Sequence, residues 1–133
     1  MEAVIHLDTH VLIWLYIGEA KRLHPVEKIL DSHQLVISPM VILELEFLKG
    51  IGKLQLSADK IIGDLVEQFG VVVSTTPFSR IIRNATQLNW TQDPFDRIIV
   101  ANALAEDADL LTCDRNIRKH CHRAIWNKSQ TCD

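Results

Sequence analysis

The feature that most narrows what this chain can fold into is an alternation. Short β-branched and aliphatic runs are separated by longer stretches with helical periodicity. The runs are Ala3 to Leu7, Leu35 to Ile37, Val71 to Val73 and Leu110 to Cys113, with Ala124 to Trp126 as a last strand at the edge. This rhythm is the mark of an α/β fold, with the strands in one sheet and the helices around it. At 133 residues the chain makes one domain, residues 1–133, with enough length to bury a sizeable core.

The helical stretches carry their own punctuation. Thr9 to Ile17 is apolar on most sides, and a polar loop from Gly18 to Leu23 leads to a helix starting near Pro25. A helix runs from Met40 to about Ile51, with Gly50 and Gly52 at its end. Ser57 opens an amphipathic helix with Ile61, Leu65, Val66 and Phe69 on one face, and Gly70 stops it. Phe78 to Leu88 is another helix, Asp93-Pro94 opens the apolar helix Phe95 to Ala105, and Arg115 to His120 is a short helical turn.

Four acids stand where a solvated surface charge is not expected. Asp8 ends the first strand, Asp114 follows the fourth, and Glu44 and Asp96 lie on helices whose neighbouring turns are apolar. Each has an ordinary structural explanation to weigh. Asp8 and Asp114 precede helices and suit N-caps, and Asp93 with Asp96 three residues later resembles a capping box. Glu44 resists: three and four residues away stand Met40, Val41, Phe47 and Leu48, so the carboxylate faces the core and needs a partner or a metal. Glu46 reads as its solvated counterpart.

Taken together the four acids say more. In open parallel sheets ligands bind outside the carboxyl ends of the strands, and that edge gathers all four. Clustered like charges raise one another's pKa or recruit a cation. Oxygen donors without thiolate or imidazole suit Mg²⁺ or Mn²⁺, and a carboxylate-held divalent ion is equipped for phosphoryl chemistry. Thr112, two residues before Asp114, stands where it positions a water or a ligand oxygen.

Composition leaves this reading open. Net charge is −3, whereas proteins that grip nucleic acid are usually basic, but setting the four acids aside leaves 14 basic against 13 acidic residues. The longest apolar stretch, Val11 to Ile17, is too short for a membrane span, and Met1-Glu2-Ala3-Val4 lacks the basic region of a secretory signal. Cys113, Cys121 and Cys132 form no C-x-x-C motif and fit a reduced, cytoplasmic setting. His120-Cys121-His122 does not make a zinc site, because adjacent ligands in an extended segment point to opposite faces.

The segments Leu7-Asp8-Thr9-His10-Val11-Leu12-Ile13-Trp14, Ile37-Ser38-Pro39 through Glu44, Asp93-Pro94-Phe95-Asp96-Arg97 with Ala101, and Leu111-Thr112-Cys113-Asp114-Arg115 resemble the PIN-domain family. Within it they are most similar to the VapC-type toxins of type II toxin–antitoxin systems. The resemblance implies a three-layer α/β/α sandwich with a central, mainly parallel sheet of four to five strands. It implies an endoribonuclease using Mg²⁺ or Mn²⁺ at Asp8, Glu44, Asp96 and Asp114, with Asp93 and Thr112 in support. It also implies a homodimer and a cognate VapB-like antitoxin that silences the site.

For contact with RNA the candidates are Lys49, Lys53, Arg97 and Arg115, with Arg118 and Lys119. Trp14 and Trp90 offer faces for stacking on bases, against the plainer reading of core packing. Three alternatives stand beside the toxin: a non-toxin PIN nuclease, a structure-specific 5′ nuclease, and a non-catalytic PIN or receiver-like binding domain. The 5′ nuclease would need a helical arch or an extended basic segment. A receiver would need a paired acid at the first strand end and a lysine near the last strand, where Glu2, Arg123 and Lys128 make no clear match.

Overall fold

The computed structural model describes residues 3–126; Glu2, Lys128 and Cys132, weighed above, lie outside them. Five strands, β1 (Ala3–Leu7), β2 (His33–Ile37), β3 (Val72–Val73), β4 (Asp109–Leu111) and β5 (Ala124–Ile125), form one sheet in the order β3-β2-β1-β4-β5. All pairings are parallel. Ile5 stands opposite Leu35 on one side and Asp109 on the other, Val36 opposite Val72, and Leu111 opposite Ile125.

The strand order locates the site before any side chain is considered. The chain lays β1, β2 and β3 outward, then returns across β1 to add β4 and β5. Winding therefore reverses between β1 and β4, and in open parallel sheets that reversal leaves a crevice beyond the carboxyl ends.

Around the sheet lie α1 (Thr9–Ile17), α2 (Ala20–Leu23), α3 (Glu27–Ser32), α4 (Pro39–Gly50), α5 (Ala58–Phe69), α6 (Phe78–Ala85), α7 (Pro94–Ala105) and α8 (Arg115–His120). The starts of α1, α4, α5, α7 and α8 are capped by side-chain oxygens. Ser38 accepts from the Met40 N–H at 3.1 Å and Ser57 from the Lys60 N–H at 3.2 Å. Glu46, read from sequence as a solvated acid, accepts the Ala58 N–H at 2.8 Å and so helps cap α5. Gly70 ends α5 in the left-handed region, φ 66°.

Two segments differ from expectation. The stretch read as a loop from Gly18 to Leu23 contains the helical turn α2, and the helix expected from Pro25 is a 3-10 turn (His24–Val26) followed by α3. Leu23 and Val26, three residues apart, are both buried, which draws this segment onto the core as tight turns. The helix from Phe78 ends at Ala85, three residues early. The N–H groups of Gln87 and Leu88 bond to the carbonyls three residues back, at 3.1 Å each, tightening the end.

One face of the sheet packs Ile5, Leu7, Leu35 and Ile37 with Val11, Leu12, Val41, Leu45, Ile61 and Leu65 into the main core. His6, alternating with Ile5 and Leu7, points the other way and is 1% exposed. Its Nε2 pairs with Glu106 Oε1 at 2.9 Å. The other Glu106 oxygen accepts from the Ser74 hydroxyl, from Thr76 Oγ1 at 2.8 Å and from Asn102 Nδ2 at 3.1 Å. Nothing in the sequence pattern pointed to this polar cluster. Among the described residues no helix is long and apolar enough to cross a membrane.

Candidate metal centre

Asp8 extends β1 by one step, its N–H donating to the Leu111 carbonyl at 3.2 Å. It then turns into α1 as the N-cap, with Oδ1 accepting the Val11 N–H at 3.0 Å. Its second oxygen accepts the Thr112 hydroxyl. Thr112, fully buried, in turn accepts the Asp114 N–H at 3.1 Å. One hydroxyl at the end of β4 thus fixes the two acids flanking the point where the winding reverses.

Asp114 caps α8, with Oδ1 accepting the Ile117 N–H at 2.9 Å, and is solvent-exposed. Asp93 caps α7 through the N–H groups of Phe95 and Asp96, at 2.8 and 3.3 Å. The reciprocal half of a capping box does not form: the Asp93 N–H donates to Thr91 Oγ1 at 3.2 Å. Among the described residues no donor reaches the Asp96 carboxylate, which is half-buried in the first turn of α7.

Glu44 arrives from α4. The sequence argument that it needs a partner holds, and the partner comes from another element. Thr9 Oγ1, the first residue of α1, donates to Glu44 Oε1 at 2.5 Å. Glu44 is half-buried rather than facing the core. Phe47, three residues on, meets Phe95 with ring centroids 5.4 Å apart, so α4 and α7 pack together beside Glu44 and Asp96.

The electrostatics follow from this crowding. Burial, followed by the carboxylates of Asp93, Asp114, Glu44 and Asp8, pushes Asp96 up to about 7. Burial also raises Glu44, with Asp93 and Asp8 adding to the rise and the Thr9 hydroxyl and His10 drawing it back. Asp8 is raised by burial against the lowering effect of Thr112, the Val11 N–H and His10. Five carboxylates therefore share one edge, and among the described residues Asp96 stands without a donor while the other four each accept at least one hydrogen bond. His10, together with Asp8, Trp14, Cys113 and Asp114, lines a cleft of about 180 Å³ there.

The donors fit a hard divalent ion. They are carboxylate oxygens, and the repulsion that adds to burial in raising Asp96 is what a cation relieves. Among the described residues no three His, Cys, Asp or Glu side chains converge tightly enough to hold an ion between them. An ion such as Mg²⁺, which retains several waters, needs one or two direct carboxylates with water reaching the rest.

The other sequence candidates scatter. Lys49 and Lys53 are exposed at the far end of α4. Arg97 is half-buried and donates its Nε to the Ala85 carbonyl at 2.8 Å, tying α7 to α6. Arg115 follows Asp114 and lines a second cleft with Arg118 and Lys119. Trp14 meets Trp126 edge-on, with centroids 6.0 Å apart, while Arg22 lies 5.0 Å over its ring. Trp90 stacks on His120 at 5.1 Å. Cys121 is a buried free thiol, but the segment is not extended: His120 ends α8 and the exposed His122 lies in the turn that follows. Thr9 and His10 were missed from sequence. Their one signal is that they directly follow Asp8 where the chain turns from strand to helix.

A family model for the PIN domain matches residues 5–122. No curated protein matches significantly. Among solved structures, VapBC2 from Rickettsia felis, bound to a DNA fragment from its promoter, contains a chain similar at TM-score 0.65 and 17% identity, with 93% of this chain and 99% of that one covered. VapBC-1 from nontypeable Haemophilus influenzae is similar at 0.58 and 22%, covering 90% and 91%. FitAcB from Neisseria gonorrhoeae is similar at 0.53 and 19%, covering 93% and 97%.

Proposed function

The chain belongs to the PIN-domain family, and from that premise we propose that it is a metal-dependent endoribonuclease of the VapC toxin type. The observation that carries the proposal is the crowding at the carboxyl edge, where burial first, and then the carboxylates of Asp93, Asp114, Glu44 and Asp8, push Asp96 up to about 7. Similarity to chains of VapBC complexes supports the toxin assignment. Residues 1–133 act as a single domain in the cytoplasm.

In this reading Asp8 and Asp96 hold Mg²⁺ or Mn²⁺, Glu44 and Asp114 complete its surroundings, and Asp93 and Thr112 support them. The ion, when bound, neutralises charge at the phosphate and acidifies water. The chain's own residues do the positioning. Thr112 and the Val11 N–H fix both oxygens of Asp8, so its carboxylate cannot rotate away. Thr9 holds Glu44 against the α1 start, and Asp93 fixes the turn that presents Asp96. Such aimed carboxylates lower the reorganisation needed when phosphate charge develops.

Partners complete the reading: single-stranded RNA as substrate, a VapB-like antitoxin over the cleft, and a second copy of the chain. Leu43, Phe47, Ile51 and Phe78, all about half exposed, supply apolar surface for the protein contacts. The test is cleavage of unstructured RNA by the purified chain with and without Mg²⁺ or Mn²⁺, beside Asp8→Asn and Asp96→Asn. Cleavage that survives chelation, or that both variants retain, overturns the metal-nuclease reading. Growth arrest on expression, relieved by the antitoxin encoded beside it, is the expected cellular result.

A further inference from the structure

We propose that the cleft between α8 and β5 is a second subsite, holding the phosphodiester backbone of a single-stranded RNA where it leaves the acidic edge. The inference rests on the nuclease reading and adds where the strand goes. The cleft has a volume of about 440 Å³, and Arg115, Arg118, Lys119 and His122 line it together with Ile125 and Trp126. Cationic side chains beside an indole suit a nucleotide, whose phosphate takes the charge and whose base or ribose takes the apolar surface.

Its position ties it to the acidic edge. Arg115 is the residue after Asp114, so one helix start carries the last acid of one cleft and the first base of the next. Trp14 lines the acidic cleft, Trp126 lines the cationic one, and the two indoles meet edge-on at 6.0 Å. Arg118, Lys119 and His120 fill the last turn of α8, where the helix carbonyls favour cations.

Charge supplies the reason. Five carboxylates repel a polyanion, and the whole chain is net negative. A strand entering that edge needs cations close by, and α8 places three basic residues directly beyond Asp114. An acidic peptide has the same charge. RNA is favoured because the adjoining edge is the phosphodiester-cleaving site of the proposed function, and Trp14 and Trp126 join the two clefts.

The test is binding of an unstructured oligoribonucleotide at varied salt, with Ca²⁺ replacing Mg²⁺ to hold off cleavage. Replacing Arg118 and Lys119 together by Ala is expected to weaken binding by about tenfold or more at low salt. It should also flatten the log–log salt slope by about 1.4, since each phosphate contact on a single strand contributes about 0.7. Lys28→Ala, on the helix leading into the opposite end of β2, removes a charge without that effect. Should the double variant fail to fold, Lys119→Glu on an exposed side chain carries the test and is expected to weaken binding similarly.

An unchanged slope and affinity overturn the subsite, and so does a polyglutamate peptide competing as well as RNA of equal charge. If the wild type cleaves RNA but these variants bind and cleave like it, the subsite fails and the nuclease stands. If no RNA is cleaved but binding depends on Arg118 and Lys119, the subsite stands without the nuclease.

Discussion

Two groups of acids in this molecule are partly withdrawn from water, and they are treated in opposite ways. Glu106, beside β1, receives donors from Ser74, His6, Thr76 and Asn102. Burial works against its charge, yet the hydrogen bonds from Ser74, His6 and Thr76 outweigh it and hold its pKa below the usual carboxylate value. Asp96, at the carboxyl edge, is pushed up to about 7 by burial and, after it, by four neighbouring acids, with no donor among the described residues to offset them. Burial alone therefore does not mark a working carboxylate. On the function proposed above, the carboxylate the fold has already satisfied is structural and the one it leaves repelled awaits a cation.

This contrast is easiest to break at Asp8. Asp8→Asn is expected to abolish metal-dependent RNA cleavage, exceeding the roughly 100-fold that marks the upper range for losing a supporting partner of a metal ligand. Its circular dichroism spectrum should stay native, since asparagine also caps helices. Retained cleavage would place the chemistry elsewhere. Glu106→Gln should do the reverse, costing about 2–3 kcal/mol in denaturant unfolding by weakening charge-assisted bonds, while the cleavage rate of the folded fraction stays unchanged. A large rate loss there would erase the distinction between the two regions.

Thr112→Val sits between the extremes. It removes the hydroxyl shared by Asp8 and Asp114, and a loss of about 10- to 100-fold in cleavage or metal affinity is expected, measured by single-turnover assay and metal titration. Thermal melts across pH then sharpen the comparison. Glu106 has a depressed folded pKa, so its contribution is present above the ordinary value of 4.5 and is lost as pH falls through the lower folded value. Asp96 is raised from 3.8 to about 7, so without metal its charge costs stability progressively as pH climbs through that window.

Asp96→Asn should accordingly stabilise the metal-free protein at neutral pH by roughly 1–2 kcal/mol, well below the full equivalent of the shift because the group is partly solvated. Added Mg²⁺ should raise the melting temperature of the wild type and leave this variant little changed. A wild type indifferent to Mg²⁺ would count against an ion at this edge.

The sequence disclosed one of these two regions and hid the other. Asp8, Asp93 and Asp114 were legible because strand ends and helix starts are local patterns, and the capping interactions expected of them are present. Glu44 stood out because its own helix offered no partner. Its actual partner, Thr9, lies 35 residues earlier and was invisible to a periodicity argument. Glu106 drew no notice, because apart from Asn102 on α7 its partners come from β1 and from the segment after β3. His6 read as one more member of a strand. The turns around Leu23 and Val26 were misjudged for the related reason that burial, not local propensity, sets their path.

The bond between Asp8 and Thr112 spans 104 residues, and this has a consequence in time. The first strand to leave the ribosome is the middle strand of the finished sheet, and it waits for β4 to take its place beside it. At typical rates of synthesis that interval is roughly 5–20 s. During it Asp8 lacks both the Thr112 hydroxyl that aims it and the neighbouring Asp114 held by the same hydroxyl. On the proposed function, the chain is expected to be inert as a nuclease until β4 is in place, and cells expressing chains truncated before β4 should show no growth arrest.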